Sequence, residues 1–551
     1  MKASCKRSPG FSKPEVRAFD VKELQDIIER SGSRPLSEAD RAKLLETVGT
    51  LAYLQQELAN KDASLARLRS LFGLSTSEKT KDVLGDESGD KSAGGTGGGE
   101  ENAKKKRKGH GRKGAKDYKG AERIRVEHET LKPGDPCPEC PANKQGKVYK
   151  LSPRTLVRVV GQAPLQATVY ELEALRCNLC GTVFNTRPPE GIGDKKYDAT
   201  AASMIGLLKY GSGLPFNRLE RLEGNLGIPL PAATQWEIVS EAAGEITPVH
   251  KELIRQAAQG RLIHNDDTSM QVLELRKEID ALERAGEADR TGIFSTGIVS
   301  ELSDGRRIAL FFTGRQHAGE NMTDLLARRA VEIDKPMQMC DGLDRNLPKE
   351  FETIVANCLA HARRKFVEVA NSFPEDCRHV LETLRDVYIN DARARKRGLS
   401  DEERLSYHKE HSSPLMDDLQ EWMDEQIQQR RVEPNSSLGK AISYMTGRWE
   451  RLTLFLSKPG APLDNNLVER ALKKAILHRK NSLFYKTENG ARVGDLFMAL
   501  IHTAELAHVN PFDYLTALLR HPAEAKQQPA DWLPWNYTEA VVRATSGSTT
   551  R

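Results

Sequence analysis

The 551-residue chain is poor in apolar side chains: 38% are hydrophobic and 6% aromatic. That share leaves part of the chain with too little apolar surface to offset ordering entropy, while the length predicts several units. No run of about 18 apolar residues occurs, which excludes a predicted transmembrane helix and a membrane partner. The start, Met1–Val16, lacks the apolar centre of a signal peptide, so a cytoplasmic protein is expected. Eight cysteines are too few for a disulfide scaffold at this length. The formal charge of +5 is small, so the distribution of charge carries more information than its sum.

Residues 1–36 show no sustained periodicity and read as a disordered N-terminus. From 37 to 74 the pattern is helical, with Leu44, Leu51, Leu58, Leu65 and Phe72 spaced by sevens. Such spacing predicts a coiled coil and self-association, or an amphipathic helix packed on its own chain. Residues 75–103 are rich in Gly, Ser and acids and read as a flexible linker. The linker continues into a basic segment that completes the unit 75–125. Lys104, Lys105, Lys106, Arg107, Lys108, Arg112 and Lys113 lead eleven cations between 104 and 125, against Asp117 and Glu122. A run of that kind suits DNA phosphate contact through counterion release, or is a solvated tail.

Within 126–190 lie two CxxC pairs, Cys137/Cys140 and Cys177/Cys180, with strand-like runs at 156–160 and 167–172 between them. Two such pairs at the ends of a hairpin predict a zinc ribbon holding one structural Zn²⁺ on four thiolates. Four thiolates leave no open position for catalysis. Residues 191–259 read as helices broken at 211–215 and 227–231, a layout open to a helix-turn-helix reader of DNA or to a plain bundle.

From 260 to 510 the texture is α/β. Strand-like runs at 262–267, 293–299 and 308–312 precede a helix over 318–330; further strands end at Asp341 and Cys358, and a basic helix carries Arg363 and Arg364. Three strands, a helix, then strand–helix units give the order of a ribonuclease-H-like fold, in which the first and fourth strands lie side by side. Asp266 and Asp341 then meet, and Glu469 joins them from a late helix that also carries Arg470, Arg479 and Lys480. Three carboxylates suit two Mg²⁺ or Mn²⁺ ions held across a phosphodiester. Each acid also has an ordinary reading: a turn cap for Asp266, an Asp-Gly turn for Asp341, an i,i+4 pair with Lys473 for Glu469. Apolar positions between 415 and 449 recur at helical spacing and predict an α-helical insertion over about 370–457. Residues 511–551 form a C-terminal element.

Several of these segments together carry a family likeness. The paired CxxC, His264-Asn-Asp-Asp-Thr268, Asp341-Gly342, Cys358-Leu-Ala-His361-Ala-Arg-Arg-Lys-Phe366, Asp464-Asn-Asn-Leu-Val-Glu-Arg470, Arg479-Lys-Asn-Ser-Leu-Phe484 and Trp532-Leu-Pro-Trp535 resemble the insertion-sequence-66 family of DDE transposases. The resemblance runs from about residue 40 to 540. It implies that Asp266, Asp341 and Glu469 are the triad of a bacterial, metal-dependent enzyme that cuts transposon-end DNA and joins the 3′-hydroxyl to target DNA. It also implies a homo-oligomer and allows helper proteins from the same element. Asp267 stands where the family usually has glutamate, Leu343 where an aromatic is common and Lys473 where arginine is common, so the choice between Asp266 and Asp267 stays open. The competing reading is a zinc-ribbon DNA-binding regulator without catalysis.

Overall fold

The structure is a computed structural model that describes residues 195–287 and 290–548. It also describes segments 27–30, 35–44, 47, 116, 130–138, 140, 146–149, 151, 163–176 and 183–190. The chain divides into two compact units, Met1–Ser88 with Ala370–Arg378, and Gly89–Val369 with His379–Arg551. In the first, the described residues include a short helical stretch at 38–44, entered through Ser37, whose Oγ accepts the Asp40 amide at 3.1 Å. Leu51, Leu58, Leu65 and Phe72 of the expected coil lie outside the described residues, as do Lys104–Lys108, Arg112, Lys113, Cys177 and Cys180.

The second unit begins with two small antiparallel pairings. Pro136 bridges Lys147 across the Cys137–Cys140 turn, and β1 (Ala174–Arg176) pairs with β2 (Val183–Asn185) on either side of the stretch that contains Cys177 and Cys180. Of the strands expected at 156–160 and 167–172, the first lies outside the described residues and the second carries no strand, with Val169 and Tyr170 exposed. β-Propensity extends a chain, but a strand needs a ladder partner, and β2 reaches only 174–176.

Three helices follow, α1 (Ala199–Gly206), α2 (Phe216–Asn225) and α3 (Ala232–Ala257), with a π-helical turn at Leu207–Gly211 after α1. The breaks fall where Gly211–Pro215 and Gly227–Pro231 were expected to place them. α3 buries Val239, Ile246, Val249 and Leu253 along one stripe, and this stripe joins the same hydrophobic core as the sheet.

That sheet has five strands: β3 (Leu262–Ser269), β4 (Phe294–Glu301), β5 (Arg307–Gly314), β6 (Met337–Cys340) and β7 (Ile354–Asn357). Their order is β5-β4-β3-β6-β7. β3, β4 and β5 are antiparallel neighbours, while β3–β6 and β6–β7 run parallel. The first and fourth strands are therefore adjacent, as the sequence order predicts. The helical excursion in the β3–β4 connection, α4 (Leu273–Ala285), buries Leu275 and Ile279. It is tied down at its start, where Tyr485 and Gln271/Leu273 exchange backbone bonds of 2.8 and 2.9 Å.

α5 (Ala318–Leu326) connects β5 to β6, and α6 (Leu359–Val369) follows β7. The insertion is helical as expected: α7 (Pro374–Arg397), α8 (Asp401–His411), α9 (Ser413–Gln428), α10 (Ser437–Thr446) and α11 (Trp449–Leu452). α12 (Asn466–Ser482) and α13 (Glu488–Leu506) return to the sheet. α12 buries Val468, Ala471, Leu472 and Ala475, a spacing that puts one stripe on the strands and leaves the cationic stripe outside. α13 is lashed to β5 by Asp495, which accepts the Thr313 amide and hydroxyl at 2.7 Å each. α14 (Pro511–Arg520), α15 (Pro522–Gln527) and α16 (Tyr537–Ser548) close the chain, with Tyr514, Trp532 and Leu533 in the common core. Among the described residues no helix is long and apolar enough to cross a membrane.

Candidate active site

The sheet register brings the first two acids together. His264 pairs with Met339 in the parallel β3–β6 ladder, so two residues further Asp266 lies beside Asp341. Cys340 pairs with Asn357 in the β6–β7 ladder, so one residue further Asp341 lies beside Cys358. On the other side Asp266 faces Gly297 of β4. Neighbouring strands sit about 4.8 Å apart, and paired residues share a sheet face. Gly297, Asp266, Asp341 and Cys358 thus form one row across four strands, with Asp341 and Cys358 just past the carboxyl ends of β6 and β7 and Asp266 just past the end of the parallel β3–β6 pairing, where open α/β sheets bind ligands.

α12 lies over this row because Gly297 has no side chain. A Cβ there would sit 2.9 Å from Leu472 and 3.3 Å from Val468. Glu469 follows Val468 on the first turns of the helix, so the close approach carries it to the row. Burial pushes the Asp266 carboxyl up to about 7; the Asp267 amide, 2.8 Å from Oδ1, opposes this, and the charges of Asp341, Asp267 and Glu469 add to it. Three acids remote in sequence therefore act on one another through space. Burial also raises the Asp341 carboxyl, against the Leu343 amide, His361, Asn346 and Arg345, which favour its charge.

The choice between Asp266 and Asp267 is a matter of sheet face. Asp267 pairs with Thr296, whose hydroxyl meets Asn321 of α5 at 2.9 Å. Its carboxylate is 2.9 Å from His317 Nδ1 at the start of α5 and 3.4 Å from Arg345. Asp267 thus points to the α5 face and is already partnered, while Asp266 points to the face covered by α12.

A buried amide network sets the positions of these groups. Asn465, fully buried, donates from Nδ2 to the Asn265 carbonyl at 3.1 Å and from its own amide to Cys358 Sγ at 3.2 Å. Its Oδ1 is 3.0 Å from His264 Nδ1. Burial holds the His264 imidazole neutral, with its pKa down to about 4; since Asn465 presents its oxygen, His264 Nδ1–H is the donor. Asn265 accepts from Gln338 at 2.9 Å and donates to the Asn346 carbonyl at 2.7 Å, and Asn346 in turn donates to Asp341 Oδ1. Arg448 of the insertion donates to the Gly342 carbonyl at 3.1 Å and stacks over Tyr444 at 4.4 Å.

Asn465→Ala removes two side-chain bonds and leaves the Asn265 carbonyl and His264 unsatisfied in the interior. The expected loss is about 2–4 kcal/mol of stability, read from the midpoint of denaturant unfolding; an unchanged midpoint contradicts the pinning role.

The remaining expected residues lie as follows. His361 Nε2 is 3.8 Å from Glu469 Oε1. Arg363 and Arg364 are half-buried on α6. Arg470 is exposed, its Nε donating to Asn466 O at 3.2 Å, and Lys480 is exposed further along α12. Arg479 is engaged within the fold, donating to Thr268 Oγ1 at 3.0 Å and Ser269 Oγ at 2.7 Å. Cys137 donates its amide to Gly146 O at 2.8 Å, and a Cβ on Gly146 would lie 2.9 Å from Cys140 Sγ. The sequence motifs contained His264, Asn465 and Cys358 without marking them. The signal for Asn465 was its place beside Glu469; Gln338, Asn346 and Arg448 gave none.

A family model described as "Transposase IS66 family" matches residues 196–493, which takes in the sheet, the insertion and α12. Similar chains occur in Sinorhizobium fredii (strain NBRC 101917 / NGR234). The uncharacterized protein y4hP is 26% identical over 445 residues, covering 76% of each chain. The uncharacterized protein y4jD is 26% identical over 381 residues, 66% of this chain and 70% of that one.

Proposed function

The chain belongs to the IS66 family of transposases, and on that premise we propose that it cuts transposon-end DNA and joins the freed 3′-hydroxyl to target DNA from a ribonuclease-H-like core. Asp266, Asp341 and Glu469 are its catalytic acids. The observation that carries this reading is the shared row of Asp266 and Asp341 beneath Glu469, with the Asp266 carboxyl pushed up to about 7. A buried like-charged cluster of that kind is costly unless cations neutralise it. Glu469 Oε1 is buried without a hydrogen-bond partner, which fits a metal ligand. The trio would hold two Mg²⁺ or Mn²⁺ ions, hard cations that take oxygen ligands. When bound, such ions supply Lewis-acid polarisation of the phosphodiester and a nucleophile activated at neutral pH.

The chain's own residues orient and enclose. Asn465 and His264 fix the entry to α12, hence Glu469. Asn346, Gln338 and Asn265 fix Asp341. Arg345 and Arg448 offer positive charge beside the acids for the DNA backbone, with Arg363, Arg364, Arg470 and Lys480 on adjoining helices and the segment from Lys104 to Lys113 beyond. Cys137, Cys140, Cys177 and Cys180 hold a structural Zn²⁺; the bare Gly146 leaves room for the Cys140 sulfur. The coil over 37–74 joins protomers so that two DNA ends meet.

The test takes as substrate the DNA that flanks the coding region, searched for inverted repeats, with Mg²⁺ or Mn²⁺. Wild-type protein is expected to nick and join. Glu469→Gln is expected to lose cleavage by about 10³-fold or more, roughly 4 kcal/mol of barrier, and to keep DNA binding. Cleavage unchanged in that variant would sink the assignment. Binding without any cleavage by wild-type protein would favour a regulator.

A further inference from the structure

We propose that Cys358, His361 and Glu469 form a second metal site, selective for Zn²⁺, whose occupation withdraws Glu469 from the three-acid row. One thiol, one imidazole and one carboxylate place their ligand atoms within 4.8 Å of one another. In tetrahedral zinc sites with bonds of about 2.0–2.3 Å, ligand atoms lie about 3.5 Å apart, so closure needs side-chain shifts of about 1 Å. Cys358 precedes α6 and His361 lies three residues on, the spacing that turns both side chains to one helix face. Two atoms of the group, Glu469 Oε1 and His361 Nδ1, are buried without hydrogen-bond partners.

The donor set decides the cation. Asp266 and Asp341 offer only oxygen, which suits Mg²⁺ or Mn²⁺; a sulfur–nitrogen–oxygen set suits a borderline-soft ion. Three protein ligands leave the fourth position to water. Binding would release the Cys358 thiol proton to solvent. Glu469 is common to both sets and cannot serve both fully, so zinc would oppose the hard-cation site. That consequence rests on the role proposed for Glu469, whereas zinc binding itself does not.

The experiment measures zinc per chain by atomic emission on full-length protein dialysed against a slight excess of Zn²⁺. Cys358→Ser, His361→Gln and Glu469→Gln are each expected to carry one zinc fewer than wild type. Cys137→Ser serves as a separate comparison for the ribbon, and its effect should add to that of Cys358→Ser. Zinc content equal to wild type in Glu469→Gln and His361→Gln, with circular dichroism unchanged, overturns the site. Should Cys358→Ser fail to fold, those two variants decide. Cobalt gives an independent readout, because Co²⁺ bound to thiolate absorbs in the near ultraviolet. That band is expected to fall in Cys358→Ser within a Cys137→Ser background, and a band of equal size counts against the site. A Glu469→Gln protein that loses one zinc yet cleaves like wild type would uphold this site and refute the catalytic assignment.

Discussion

Asp266→Asn is expected to stop strand cleavage and at the same time to stabilise the protein, with the gain growing between about pH 4 and pH 8. The two effects share one cause. An aspartate in an unfolded chain titrates near about 3.9, whereas burial and the neighbouring acids push folded Asp266 up to about 7. Between those values the folded state holds a proton that the unfolded state does not. Stability therefore falls as pH rises through this window and stays reduced above it. About three units correspond to at most about 4 kcal/mol, and asparagine, having no charge to bury, removes that penalty. Thermal melts at about pH 4 should nearly coincide for the two proteins, and at about pH 8 the variant should melt higher. Mg²⁺ or Mn²⁺ should raise the wild-type melting temperature at the higher pH, because a ligand that binds only the folded state stabilises it by mass action, and should do less for the variant. A variant less stable than wild type at about pH 8 would show that the acids do not strain the apo fold.

The sequence carried the sheet well because its strands are short apolar runs bounded by acids and glycines. The run ending at Asp267 covers all but the last two residues of β3, and those ending at Asp341 and Cys358 contain β6 and β7; their order alone placed the first beside the fourth. Glu469 was legible because it sits in a dense polar motif, Asp464–Arg470, on a helix with an apolar stripe. Three features were not legible. The face assignment of Asp266 against Asp267 depends on which helix covers which side of β3, and alternation along the strand gives only the relative sense. The network through Gln338, Asn346 and Asn465 depends on contacts between residues up to 201 positions apart in the chain, for which an isolated amide carries no mark. The strand expected at 167–172 is the converse case: local preference was present, yet among the described residues it forms no strand.

Gly297 is the position at which the closeness of α12 to the sheet is decided, and Gly297→Val is expected to lower cleavage by about 100-fold or more. The glycine sits directly opposite Asp266, and its missing side chain is what lets Val468 and Leu472 rest on β4. Neither neighbour has room to yield, since both are core residues, 0% and 3% exposed. An added Cβ 2.9 Å from Leu472 must lift the helix or distort the strand, at about 1–3 kcal/mol for overpacking. Glu469 rides on the same turn, and a catalytic group displaced by about 1 Å can cost about 10²-fold in rate. Valine should therefore depress activity more than its stability loss explains, and should abolish the metal-induced rise in melting temperature. Gly297→Ala should do the same to a lesser degree, and adding Leu472→Ala should return part of the activity by making space for the methyl. Gly244→Ala on α3 is the comparison, since a Cβ there meets nothing within 4 Å; it should leave cleavage alone and gain about 0.5–1 kcal/mol from helix propensity. If Gly297→Val cleaves as fast as wild type, α12 need not touch β4 at this point, and Glu469 is not delivered to the acids by that contact.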